Sequence, residues 1–271
     1  MSLLSIILPV ITQMEDSHLK TQLATYFPLQ EEKFSQIEKS FQALTAQKQA
    51  KETLNTFFKS WSQTNNSAMT VAGLSNRMTM IIHKKQKVNS EYDLFRAVSS
   101  LNRIVDEDLA VVGRILHSIL FYNMATNITG DDSWLSNTYL NKEAIEFKAW
   151  KDKNSLRNKD IMVGLLTTLV HEIYTHGEVE FIIPLFESWL REEGRLSDED
   201  IDKTLAWISV HCGPTEKNHF FHAVDAINSY SKAFDIHMED YDLQEIVEDY
   251  LRLKAEVMNV LYKQVSEEYA M

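Results

Sequence analysis

The sequence predicts an all-α protein, a helical bundle with an extra helical segment at its N-terminus. Apolar residues recur at i, i+3 and i+4 spacing through most of the 271 residues, and no segment alternates as a strand does. Seven Gly and four Pro leave little turn chemistry, so connections are expected to be few and short and the helices long. The length suffices for one sizeable core, with residues 1–50 expected as an N-terminal extension and 51–271 as the bundle.

The elements follow in order. Residues 2–26 and 29–65 carry helical periodicity and are divided by Pro28; in the second, Phe34, Ile37, Phe41 and Leu44 form the apolar stripe. The run Leu3–Thr12 has no basic segment before it and no small-residue cleavage site after it. It is also far shorter than the ~20 residues that span a bilayer, so it is expected to dock on the core. Asn65-Asn66-Ser67 breaks the pattern, and Ala68–Lys85 resumes it. Glu91–Thr126 is expected as one long helix, with Leu94, Val98, Leu101, Ile104, Leu109, Val112, Leu116 and Leu120 facing inward, ended by Thr129-Gly130-Asp131-Asp132.

Residues 131–158 are polar and aromatic and predict a loop with short helical pieces. Lys159–Glu193 is strongly helical and stops at Gly194. Ser197 with Asp200 has the spacing of a capping box and opens a helix through Val210. Gly213-Pro214 starts another, since proline suits a first helical turn, and it runs to about Phe234. Asp242–Glu268 is the last amphipathic helix.

A formal charge of −12 argues against a nucleic-acid partner or an anionic membrane surface. The single cysteine, Cys212, excludes a disulfide framework and zinc-finger spacing and suits a reducing cytosol, so a cytoplasmic protein is expected. A thiol nucleophile is the other reading of Cys212, against which a small buried filler is the simpler one.

Three predicted helices carry metal-preferring side chains: Glu107 and His117, then Glu180, then His211, Glu216 and His219. Carboxylates and imidazoles suit a pair of iron or manganese ions, and a helical bundle needs such a reason to bury them. Glu216 and His219 are three apart and share a helix face, with His222 one step further along. His211 lies five before Glu216, and Gly213-Pro214 breaks the helix between them. Asp106-Glu107-Asp108 interrupts an apolar stripe. Glu172, His176 and Glu180 form one stripe of the middle helix, with His171 and Glu178 on a neighbouring one. His171-Glu172-Ile173-Tyr174-Thr175-His176 is not the zincin motif, because its second histidine comes five after the first.

Taken together, these residues resemble the heme-oxygenase-like diiron oxidases, and within them the relatives of the chlamydial death-domain-associating protein and its cyanobacterial homologues. The family places a Glu and a His on its first metal helix, a lone Glu on the second, and His-x3-Asp-x2-His on the third. Glu107 and His117, in the setting Asn102-Arg103-Ile104-Val105-Asp106-Glu107, match the first pair, and Glu180, four before Pro184, matches the lone Glu. Phe57-Phe58-Lys59-Ser60-Trp61 resembles the early helix that packs over the site. The third motif departs from the pattern, reading His211-x4-Glu216-x2-His219, which leaves His222 as the alternative to His211.

The resemblance implies a heme-oxygenase-like bundle binding two Fe ions, or Fe and Mn, with O2 as co-substrate. It implies an oxidoreductase acting on a small organic molecule by N-oxygenation, oxidative decarboxylation or carbon–carbon cleavage. The ligands it implies are Glu107, His117, Glu180, His211, Glu216 and His219, with His222 in reserve. A non-catalytic helical interaction module is the alternative, and a heme-handling relative of the same fold is a third reading. A homodimer is favoured on the frequency of closed twofold assemblies.

Overall fold

The computed structural model describes residues 1–65, 67–109, 115–194 and 196–268. Helices account for every regular element among them: α1 Leu3–Thr12, α2 His18–Tyr26, α3 Glu31–Thr45, α4 Lys51–Thr64, α5 Ala68–His83, α6 Glu91–Asp108, α7 His117–Thr129, α8 Lys142–Asp152, α9 Ile161–Glu193, α10 Asp198–Thr204, α11 Ala206–His211, α12 Pro214–Phe234 and α13 Gln244–Glu268.

The centre is α9. Its 33 residues span about 50 Å, and its stretch from Gly164 to Val179 is buried without interruption. A helix that is apolar on nearly every side belongs in the middle of a bundle. Around it pack α1, α3, α11, α12 and α13, while α6 lies along α12 and α5 along α6. Among the described residues no helix is long and apolar enough to cross a membrane.

Residues 1–50 lie on this centre. Leu3, Ile7 and Ile11 of α1 have no exposed surface, and Phe34, Ile37 and Phe41 of α3 join the same hydrophobic core as the later helices. The crossing of α1 over α9 depends on Gly177, where a Cβ atom would meet Ile7 Cγ1 at 2.6 Å. The Ser2 hydroxyl caps the start of α1 by accepting from the Ser5 N–H, and Ser5 returns the contact.

Four expected helical stretches are divided: 2–26 falls into α1 and α2, 29–65 into α3 and α4, and two later ones break as well. The run predicted as Glu91–Thr126 ends its first part at Asp108, and among the described residues the next helix starts at His117, preceded by Leu116 at φ −52° and ψ 129°. Val112 of the predicted stripe lies outside the described residues, as does Asn66 of the predicted break. The helix predicted to run through Val210 is split at Leu205 into α10 and α11. The start of α12 follows Gly213, whose φ of +69° lies in the region that glycine tolerates and other residues strain to adopt. The region 131–158 holds α8 with short turns on either side.

Candidate metal centre

The first cluster forms where three helix ends meet. Asp108 is the last residue of α6, His117 the first of α7 and His211 the last of α11, and all three are buried. Each offers a donor atom within 4.8 Å of the others. His117 Nδ1 lies 3.1 Å from Asp108 Oδ1, and the His117 and His211 rings meet edge to face with centroids 4.5 Å apart. His211 Nδ1 donates to the Trp207 carbonyl at 2.5 Å, one turn back in α11. That bond fixes the tautomer and leaves Nε2 with a free lone pair for a cation.

The second cluster lies within helices. Glu172 of α9 and Glu216 and His219 of α12 are buried, again with donors within 4.8 Å. His219 Nδ1 sits 3.6 Å from Glu172 Oε2 and 3.6 Å from Glu216 Oε2. The other oxygen of Glu216 lies 3.6 Å from His211 Nε2, so one carboxylate faces both clusters. This follows from the sequence: Gly213 turns the chain between α11 and α12, which folds His211 back over the first turn of α12.

The donor set tests whether cations fit. Glu172 Oε1, Glu216 Oε2 and His219 Nδ1 are buried with no hydrogen-bond partner. Orphaned atoms of this kind cost stability in a native fold unless something meets them. One divalent cation among Glu172, Glu216 and His219 would meet all three; a second would find the donors of Asp108, His117 and His211, and both sets have the mixed oxygen and nitrogen chemistry that iron and manganese accept.

Protonation fits the same picture. Burial raises the Glu216 carboxyl above its ordinary range, with the charge of His219 pulling the other way. Burial works against the charged form of His219, but the Glu216 carboxylate and the contacts with Glu107 and Glu172 outweigh it and hold the imidazole well above its usual value. Burial and the neighbouring His117 push His211 down to about 4, so it is neutral and ready to ligate. Burial would raise Asp108, yet its His117 hydrogen bond and the nearby histidines hold it below the ordinary value.

Protons on Glu216 and His219 therefore occupy the positions cations would take. Divalent metal uptake is expected to release protons and to tighten as pH rises, because both groups must lose their protons to ligate. For both, the raised folded value contributes stability that is complete below the ordinary values of 4.5 and 6.5 and is lost as pH climbs through the raised ones. Chelator-treated protein is thus expected to melt lower at about pH 9 than at about pH 6, with metal restoring it. Affinity that falls with rising pH would contradict the assignment.

The structure brings together His117, His211, Glu216 and His219 of the residues expected from the sequence. It places the other three elsewhere. Glu107 belongs to neither cluster; its Oε2 lies 3.1 Å from His219 Nε2, on the far side of the ring from the carboxylates. Glu180 accepts a hydrogen bond from the Gly213 N–H at 2.5 Å and so braces the turn between α11 and α12. His222 is half-buried and lies in neither cluster. Asp108 and Glu172 take the remaining positions, and both were in view in the sequence, one as a neighbour of Glu107 and the other two turns before Glu180.

Glu107→Gln is therefore expected to keep both ions while weakening their binding about 10- to 100-fold, the usual cost of disturbing a carboxylate that orients a ligating histidine. Glu180→Gln is expected to leave metal content unchanged. Metal titration of both variants checks this; loss of a whole ion in Glu107→Gln would make Glu107 a ligand.

Beside the clusters lies a cavity of about 330 Å³. Asp108, His117, His211 and Glu216 reach its wall, and Phe121, Trp134 and Trp207 supply its aromatic surface. Glu172 and His219 do not line it.

No family model matches the sequence, and no curated protein does either. Among solved structures the chain is similar to a TenA homologue from Pseudomonas syringae pv. tomato, with a TM-score of 0.61 at 11% identity, over 94% of this chain and 98% of that one. At that identity the likeness speaks for the fold alone. The chain is an all-α bundle with the fold of that TenA homologue, and it carries two buried His/Asp/Glu clusters that could hold metal ions.

Proposed function

We propose that this protein is a dinuclear non-heme iron enzyme, with manganese as the other metal of the same chemistry, that uses dioxygen to oxidise a small organic molecule. The observation that supports it most is Glu216, whose two oxygens face His211 on one side and His219 on the other. Asp108, His117 and His211 would hold one ion and Glu172 and His219 the other, with Glu216 between them. Bound iron would supply the electrons and open coordination positions at which dioxygen is reduced.

The chain's own residues supply the rest. Burial keeps His211 neutral and the Trp207 carbonyl holds it in the tautomer that leaves Nε2 free, and Glu107 is placed to receive the Nε2 proton of His219. Because the cavity meets the first cluster and not Glu172 or His219, the organic molecule would approach from the Asp108, His117 and His211 side. Phe121, Trp134 and Trp207 offer an aromatic wall there against which an apolar body can pack. A heme would be held by one histidine and leave the rest of the Asp108, His117, His211, Glu172, Glu216 and His219 donor set unused, whereas two divalent ions would use all six.

The test is anaerobic loading with ferrous iron, followed by metal analysis and exposure to oxygen. About two ions per chain and oxygen uptake dependent on them are expected; protein that stays metal-free after loading would remove the proposal.

A further inference from the structure

Among the cavity wall residues that the metal assignment does not use are Asn65 and Thr175. Behind Asn65 stands Lys254 of α13, which has no exposed surface. Its ammonium lies 2.8 Å from Glu178 Oε2, 2.7 Å from Thr64 Oγ1 and 3.2 Å from Asn65 Oδ1. Glu178 accepts in addition from Trp61 Nε1 at 2.9 Å and from the Tyr174 hydroxyl at 2.6 Å, as a carboxylate does. An ammonium beside that carboxylate has donors and no acceptor, so the atom of Asn65 that meets it has to be the oxygen.

The amide orientation of Asn65 is thereby fixed, and its NH2 group is left over. Asn65 Nδ2 is buried with no hydrogen-bond partner, and so is Thr175 Oγ1. Buried polar atoms left unmet in a cavity wall are characteristic of positions that a guest molecule completes.

We propose that Asn65 Nδ2 and Thr175 Oγ1 form the hydrogen-bonding subsite of this cavity. The guest would carry an oxygen acceptor, a carbonyl or a carboxylate, on an apolar body that packs against Phe121, Trp134 and Trp207. Naming that guest as substrate rests on the oxidase reading; the subsite itself needs no iron.

Two probes test it, 2-phenylacetamide and phenylacetate, which share an aromatic body and differ in the charge of the acceptor. The full chain is loaded with redox-inert zinc and titrated with each probe, followed by tryptophan fluorescence and by ligand-observed NMR. Saturable binding of at least one probe is expected, weakened about tenfold in Asn65→Leu, the loss of one good hydrogen bond. Asn65→Asp, which replaces the donor with an acceptor, is expected to penalise phenylacetate more than the amide. Thr175→Val keeps the side-chain shape and serves where Asn65→Leu fails to fold.

A preference for the amide or for the carboxylate identifies which acceptor the site takes, and either supports the subsite. Binding unchanged within twofold in both Asn65→Leu and Thr175→Val overturns it, as does the absence of saturable binding by both probes. Zinc content read on the same samples separates this from the metal assignment. Probe binding that depends on Asn65 in protein holding no metal would leave the subsite standing and the oxidase reading without support.

Discussion

Glu216→Gln is expected to reduce metal content from about two ions per chain to one or fewer, and to cut oxygen-dependent turnover by more than about a hundredfold. Outer carboxylates that only orient a ligand already cost 10- to 100-fold when removed, and Glu216 stands between both clusters. The same substitution is expected to stabilise the metal-free protein by roughly 1 kcal/mol, the usual trade of activity for stability in a charged site. Glutamine has no proton to lose. The rise in melting temperature therefore grows with pH, as the native carboxyl would otherwise ionise beside Glu172 and Asp108. Metal analysis after anaerobic loading, an oxygen electrode and thermal melts in chelator together check this. A Glu216→Gln protein that holds two ions at native affinity would sink the shared-carboxylate assignment.

The second large effect lies away from the metals. Glu178 and Lys254 are both fully buried, and the carboxylate also receives Trp61 and Tyr174. Burial lowers the lysine, and Glu178 opposes that shift. Glu178→Leu strands the ammonium in the core and is expected to cost about 3 to 5 kcal/mol, a fall in melting temperature of roughly 6 to 20 °C. Adding Lys254→Met is expected to recover part of the loss, because the stranded charge is gone while Trp61 Nε1 and the Tyr174 hydroxyl still lack their acceptor. Urea unfolding of the two single variants and the double variant closes the cycle. A single variant within about 1 kcal/mol of the native protein would show that the pair is not a buried charge cluster.

How much of this was legible in the sequence depends on the kind of information each residue carries. The stripes of α3, α9 and α13 were plain because apolar spacing is local, and so was the start of α12 at Pro214. The choice between Glu172 and Glu180 was not. Both lie on one face of α9, two turns apart, and which of them meets α12 is fixed by how far one helix slides along the other. Asp108 and Glu107 differ by one residue and about 100° of helix, so the identity of the inward carboxylate depends on where α6 ends. Spacing alone made Glu107 and His117 neighbours on one helix, whereas the chain leaves the helix between them. That Leu3–Thr12 docks on the core was legible from its length and apolar run, but where it docks was not: the crossing requires Gly177 to admit Ile7, which is a contact between distant segments.

The two halves of the centre differ in how their scaffolds hold together. Glu172 is set in the uninterrupted middle of α9, where backbone amides open to solvent least readily, and Glu216 and His219 sit on the helix beside it. Asp108, His117 and His211 are all terminal residues, where helices fray first. A cation at that end acts as a clasp on three loose ends, so its arrival is expected to slow amide exchange there and to change little in α9. With ions bound, the half built on Glu172 would be the fixed anchor and the clasp beside the cavity the half that adjusts to what enters.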